Sequence, residues 1–305
     1  MCEVIVGTRK SQLALIQTNK VIQQLKQTGR TESFQIKKFS TTGDQHLNVS
    51  LSQFSGRGVF SNEIDEALQT QMIDCAVHSM KDLPIEWPKQ LTIAAIPERE
   101  DPREALVAND HVKLEDLPSG AIVGTSSLRR VAQIKVKRPD LKTQWIRGPV
   151  DSRIEQLRQG DFDAIILAVA GLKRLNLEDV ITEYLPLDSF VPAAGQGALA
   201  IQCRADDDAI KNILQHIHDE KTALAIQAER ALIDELDPTE RAPIGSYAHV
   251  SSGVITLNAM VLSATGDQVI SNMSKGTDPQ VVAHEAAQKL IDQGARQVIQ
   301  EFQTK

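Results

Sequence analysis

Glu3-Val4-Ile5-Val6 opens the chain as a buried strand, and Gly7-Thr8-Arg9-Lys10-Ser11 follows it as a polar turn. Leu13, Ile16, Val21, Ile22 and Leu25 then fall on one helical stripe that stops near Gly29. The same grammar repeats outward from there. Residues 34–39 alternate as a strand and 62–68 read as a helix. Residues 75–78 and 91–96 read as strands, and so do 121–124, 143–146 and 164–167. Strands alternating with helices predict α/β layers around a largely parallel sheet.

The chain has 305 residues, about twice the usual domain size. Pro97-Glu98-Arg99-Glu100-Asp101-Pro102 is charged and bracketed by prolines, and residues 185–192 form a second proline-marked stretch. Two such crossings predict one domain inserted in another, with a cleft between them. The last third reads differently. Residues 221–236 place Leu224, Ala228, Leu232 and Leu236 on one helical face. Residues 254–261 and 269–273 read as hairpin strands across Thr265-Gly266-Asp267. Asp278 then caps a helix with Pro279 at its first position, and that helix is expected to fill much of the remaining chain. These features predict a small C-terminal α+β domain.

Hydrophobic residues make up 41% and charged residues 24%, which excludes a mostly disordered chain. The net charge of −7 argues against broad nucleic-acid or anionic-membrane binding. Cys2, Cys75 and Cys203 form no CxxC pair, so no structural metal is expected, and their low density suits a reducing compartment. No basic segment precedes an apolar stretch at the N-terminus. The longest apolar run, residues 164–172, is far short of the roughly 20 residues that span a bilayer. These readings predict a cytoplasmic protein.

Four polar clusters follow predicted strands, where open α/β sheets bind ligands. Thr8-Arg9-Lys10-Ser11 opens a helix, a place suited to an anion. Gly124-Thr125-Ser126-Ser127-Leu128-Arg129-Arg130 sets small hydroxyl residues before paired arginines. Arg147-Gly148-Pro149-Val150-Asp151-Ser152-Arg153 is the third. Taken alone, the first reads sooner as a plain helix cap with solvated cations, and one such cluster means little. Three of them in an acidic chain predict a site for a polyanionic ligand. The fourth, Val77-His78-Ser79-Met80-Lys81-Asp82, sets a carboxylate beside a lysine, suited to stabilising a developing cation or to moving a proton. The histidines are dispersed, no HExxH occurs, and Gly195-Gln196-Gly197 is too short for a dinucleotide fingerprint. Cys75, within an apolar strand, reads as a small buried hydrophobe.

These clusters, in this order, resemble the porphobilinogen deaminase (hydroxymethylbilane synthase) family. Further matching stretches are Gly56-Arg57-Gly58-Val59-Phe60, Glu98-Arg99-Glu100-Asp101-Pro102-Arg103 and Pro192-Ala193-Ala194-Gly195-Gln196-Gly197-Ala198. Pro243-Ile244-Gly245-Ser246-Tyr247-Ala248 completes the set, and the resemblance covers essentially the whole chain. It implies two lobes like those of periplasmic binding proteins, over residues 1–98 with 195–217 and over 99–194. The α+β domain would then cover 218–305. It also implies a monomer that joins four porphobilinogen molecules head to tail, with loss of ammonia, into hydroxymethylbilane for haem synthesis. Arg9, Ser11, Ser126, Ser127, Arg129, Arg130, Arg147 and Arg153 would bind the acetate and propionate groups of the pyrroles. Lys81 and Gln196 would line the site, and Asp82 matches the family's catalytic aspartate.

The resemblance also implies a dipyrromethane cofactor, tied by a thioether to a cysteine three residues before Pro-Ile-Gly. Here the chain reads Asp237-Pro238-Thr239-Glu240-Arg241-Ala242-Pro243, with Glu240 in the cysteine's place. A carboxylate is a weaker nucleophile and sets like charge against a carboxylate-bearing primer. Pro149 likewise stands where the family pattern has asparagine, removing an amide side chain and a backbone donor. Two readings follow: a deaminase of unusual type, whose primer is held through Arg241 and the other arginines, or a cofactor-free paralogue that binds pyrroles without turnover.

Overall fold

The computed structural model describes residues 3–29, 31–45 and 58–303. Cys2, the dipeptide Gly56-Arg57 and the start of the N-terminal segment lie outside the described residues. In chain order the first elements are β1 (Glu3–Arg9), α1 (Gln12–Gln27), β2 (Ser33–Phe39), α2 (Thr42–Gln45), α3 (Asn62–Gln69), β3 (Cys75–Ser79) and β4 (Leu91–Ala95). Next come β5 (Glu104–Ala108), β6 (Ile122–Gly124), α4 (Leu128–Lys137), β7 (Lys142–Gln144), α5 (Val150–Arg158), β8 (Ala164–Ala168), α6 (Val169–Arg174) and β9 (Glu183–Leu185). The chain continues through β10 (Leu199–Arg204), α7 (Asp208–Leu214) and α8 (Glu220–Leu236). It ends with β11 (Ile244–Ser251), β12 (Val254–Leu262), β13 (Val269–Gly276), α9 (Pro279–Asp292) and α10 (Ala295–Gln303).

Two compact units result. One is built from the chain up to Glu100 together with Gly197–Ala223, the other from Asp101–Gln196 and the chain from Leu224 on. The first holds a five-stranded sheet in the order β2-β1-β3-β10-β4, with β1 parallel to β2 and β3, and β10 antiparallel to β3 and β4. The second holds the order β7-β6-β8-β5-β9, with β6 parallel to β7 and β8, and β5 antiparallel to β8 and β9. Both sheets are parallel-rich and mixed. The chain crosses between units three times, and β5 and β10 are the strands that follow the first two crossings. A third sheet, β11-β12-β13, is fully antiparallel and belongs to the second unit.

Packing explains these elements. Strands covered on both faces read as continuous apolar runs, as Ala-Ile-Ile-Leu-Ala in β8 does. In the first unit Val4, Val6, Val21, Leu25, Val77 and Ile201 form one core layer, and Ile64, Leu68 and Ile73 form another. Truncating a fully buried leucine such as Leu25 to alanine costs about 2–5 kcal/mol. The strand read at 164–167 is β8, and the rest of the apolar run lies in helix α6, which follows directly. One local reading changes. The helix capped by Asp278, whose Oδ1 accepts from the Gln280 and Val281 amides, stops at Gln293, and Gly294 turns the chain with φ +98° into α10. Among the described residues no helix is long and apolar enough to cross a membrane.

Candidate active site

Parallel pairing puts the carboxyl ends of β1 and β3 side by side, so Arg9 and the turn after Ser79 share one sheet edge. Met80 opens that turn and is fully buried, its amide donating to the Ala198 carbonyl at 3.0 Å. The plug leaves Lys81 exposed and Asp82 half-buried. Arg9 Nη1 lies 3.4 Å from Asp82 Oδ2. The arginine is itself held from behind. Asp44 on α2 accepts from Arg9 Nε at 3.2 Å and from Nη2, and the guanidinium stacks 4.2 Å over the Phe60 ring. Burial works against the charge on Arg9, but the Asp44 hydrogen bond and the two nearby carboxylates outweigh it and raise its pKa. Arg9, Ser11, Phe60, His78, Ser79 and Asp82 line one small open pocket. Ser11 is also the N-cap of α1, its Oγ accepting from the Ala14 amide at 3.3 Å.

His78, on the wall of this pocket, is buried. Its diagonal neighbour across the β3–β10 ladder is Gln202, since His78 opposes Ala200 and Ala76 opposes Gln202. Burial, aided by the Arg9 charge, pushes the imidazole down to about 4 against a weaker opposing hydrogen bond from Gln202. His78 is therefore neutral at pH 7.

The second unit arranges its clusters by the same logic. The pair β6 and β7 is parallel, so the segments after Gly124 and Gln144 leave one sheet edge. Ser127 caps α4, accepting from the Arg130 amide at 3.5 Å, while Ser126 is exposed. Arg129 and Arg130 differ from the expected open cations. Both are buried, and their Nη2 atoms donate to the two oxygens of Glu104 at 2.5 and 2.6 Å. Their Nη1 atoms donate to the Val191 and Ile166 carbonyls. Arg147 and Arg153 are half-buried, and Arg153 Nε donates to the Gly148 carbonyl at 2.8 Å. Pro149 precedes α5, where its missing amide costs nothing. Gln196 is fully buried, its side-chain amide donating to the Pro102 carbonyl at 2.8 Å. Sequence reasoning missed Asp44, Glu104 and Glu229. The last is a buried carboxylate that accepts from the Gly195 and Ala248 amides, both at 2.7 Å. Glu104 and Glu229 each stand beside an arginine and Asp44 lies in a polar stretch, so none carried a local signal.

Residues 4–212 match the family described as "Porphobilinogen deaminase, dipyromethane cofactor binding domain", and residues 223–292 match "Porphobilinogen deaminase, C-terminal domain". The chain belongs to the porphobilinogen deaminase family. A porphobilinogen deaminase of Oceanobacillus iheyensis is 51% identical over 98% of this chain and 97% of its own. Those of Halalkalibacterium halodurans and Geobacillus kaustophilus are each 46% identical, over 99% and 98% of this chain and 97% of their own. Among solved structures, a YaeC-family lipoprotein of Enterococcus faecalis overlaps 72% of this chain and 93% of its own at 12% identity, with a TM-score of 0.44.

The family's large domain is described as binding a dipyromethane cofactor, and the two thiols among the described residues do not suit a thioether. Cys75 and Cys203 face each other across β3 and β10 inside the first sheet. Burial pushes the Cys75 thiol far up, and the Cys203 thiol up to about 11, leaving both un-ionised. The sequence holds no cysteine after Cys203. Among the described residues no cluster of His, Cys, Asp or Glu could hold a metal.

Proposed function

We propose that the protein is a porphobilinogen deaminase, condensing porphobilinogen into hydroxymethylbilane, and that Asp82 is its catalytic carboxylate. The observation that carries this is the Arg9–Asp82 pair at the carboxyl edge of β1 and β3, in a chain similar to porphobilinogen deaminases along nearly its full length. Each condensation breaks the aminomethyl C–N bond, with the amine leaving as ammonia. It joins the freed methylene carbon to the α-carbon of the next pyrrole, which gives up its proton. Positive charge develops on pyrrole nitrogen at both stages. A carboxylate fixed beside that nitrogen stabilises it. Asp82 suits the role because Met80 anchors its turn and Arg9, braced by Asp44, orients it. Arg9, Lys81, Arg147 and Arg153, with Ser11, Ser126 and Ser127, supply polar and cationic contacts for the substrate carboxylates. Arg129, Arg130 and Gln196 support the shape of their sheet edge instead.

Similarity over the whole chain favours this enzyme over the binding-only alternative. The reading includes a monomeric, cytoplasmic protein without nucleic-acid or membrane partners, in keeping with its acidic charge. Incubation with porphobilinogen tests the activity. Ammonia and hydroxymethylbilane should appear at four to one, and an absence of both overturns the proposal.

A further inference from the structure

The turn after α8 is fastened from one side chain. Buried Asp237 accepts from the Arg241 and Ala242 amides through Oδ2, at 2.8 and 2.7 Å, and from the Thr239 amide through Oδ1 at 3.2 Å. The Glu240 amide donates to the Asp237 carbonyl at 2.9 Å. Glu240 is thereby held in the left-handed region, φ +56°, with its side chain exposed. It acts electrostatically on Arg230, half-buried on α8. Burial disfavours the Arg230 charge, and Glu240, followed by Asp234, opposes that effect.

The turn is therefore open to solvent, where a thiol would be accessible. It presents a carboxylate instead, and the thiols of Cys75 and Cys203 are buried in the other unit. We propose that this chain carries its pyrroles unattached: Glu240, held exposed on this turn by Asp237, offers a carboxylate and no thiol, so a pyrrole primer at this turn is not held by a covalent bond. The proposal rests on the deaminase reading for its substrate. An unattached primer leaves by simple dissociation, so chains of two and three pyrroles should escape into solution alongside the bilane.

Intact mass, measured before and after incubation with porphobilinogen, tests this. The wild-type protein should keep its unmodified mass, and its pyrrole colour should be lost on dialysis. An adduct on any residue that survives denaturation overturns the proposal, whether a thioether or an ester that hydroxylamine cleaves. E240C is the second arm. Cysteine meets no greater backbone strain than glutamate at this φ. Its exposed thiol should form a C–S bond to the aminomethyl carbon as ammonia departs with the thiol proton. The variant should gain the mass of two linked pyrroles on the peptide containing position 240. An unmodified E240C would show that pyrroles do not reach this turn, and would overturn the assignment. Bilane assayed in the same samples separates the two readings. Wild type with neither adduct nor bilane sinks the deaminase reading alone, and adduct with bilane sinks only the unattached primer.

Discussion

Arg129 Nη2 meets Glu104 Oε1 at 2.5 Å in the interior of the second unit, where Glu104 is fully buried. The other oxygen takes Arg130 at 2.6 Å, so one carboxylate serves two guanidinium groups. Pairing offsets the large desolvation cost of all three charges. E104Q leaves two buried cations without a counter-charge and should cost about 3–5 kcal/mol. For a unit of this size that is a fall of roughly 10 °C in thermal midpoint. Calorimetry checks it, and an unchanged midpoint would show that the triad contributes nothing to stability.

The Arg9–Asp82 pair is of the opposite kind. Both side chains are partly exposed and 3.4 Å apart, so the pair adds less than about 1 kcal/mol to stability. D82N should therefore fold and melt nearly as wild type does. Its kcat should fall at least about a hundredfold, because an amide cannot stabilise charge as a carboxylate does. KM should change little, since Arg9 stays braced by Asp44 and Phe60. Steady-state kinetics beside a melting curve separates the two effects, and undiminished kcat would remove Asp82 from the mechanism.

His78 gives stability a pH dependence of known sign. Its pKa is about 4 in the folded chain and about 6.5 when unfolded. Between those values the unfolded state binds the extra proton, so stability is full above about pH 6.5 and is lost as pH falls toward 4. The whole loss amounts to about 3 kcal/mol. H78N removes the titrating group, so the loss between pH 7 and pH 4.5 should shrink by most of that amount. Urea unfolding at the two pH values measures it, and equal losses in both proteins would refute the assignment.

The parts of the fold that could be read from sequence are those whose signal is local. The strand–helix alternation predicted β1, α1, β3 and β8 within a few residues, because apolar runs and helical stripes depend on near neighbours. Strands β5, β9 and β11 were missed. The first begins with Glu104 just after a proline-bracketed charged stretch, and the second is three residues long. That β5 and β10 run antiparallel has no local signature, since a buried strand looks alike in either direction. The site divides the same way. Arg129 and Arg130 stood out as a basic pair, but their partner lies 25 residues away, and only the fold shows the pair sharing one buried carboxylate. The small C-terminal α+β domain was legible as well, because the alternating strands β12 and β13 and the capped helix α9 carry local signals; that Glu229 ties Gly195 to Ala248 was not.

Gly197 sits where the chain re-enters the first unit, with φ +90°. A side chain there meets two separate penalties. The left-handed backbone costs an L-residue about 1–2 kcal/mol. A Cβ would also lie 2.3 Å from the Glu100 carbonyl oxygen, a backbone atom that cannot swing aside. The Glu100 amide donates to the Gly197 carbonyl at 3.2 Å, so any retreat also loosens that bond. Gly120 isolates the first penalty. Its φ is +81°, and nothing lies within 4 Å of an added Cβ. G120A should therefore lower stability by only about 1–2 kcal/mol, and G197A by several kcal/mol more. Melting curves of the two variants decide the matter: equal shifts would mean that the Glu100 contact yields freely, and a larger shift for G197A that this close approach is what requires glycine.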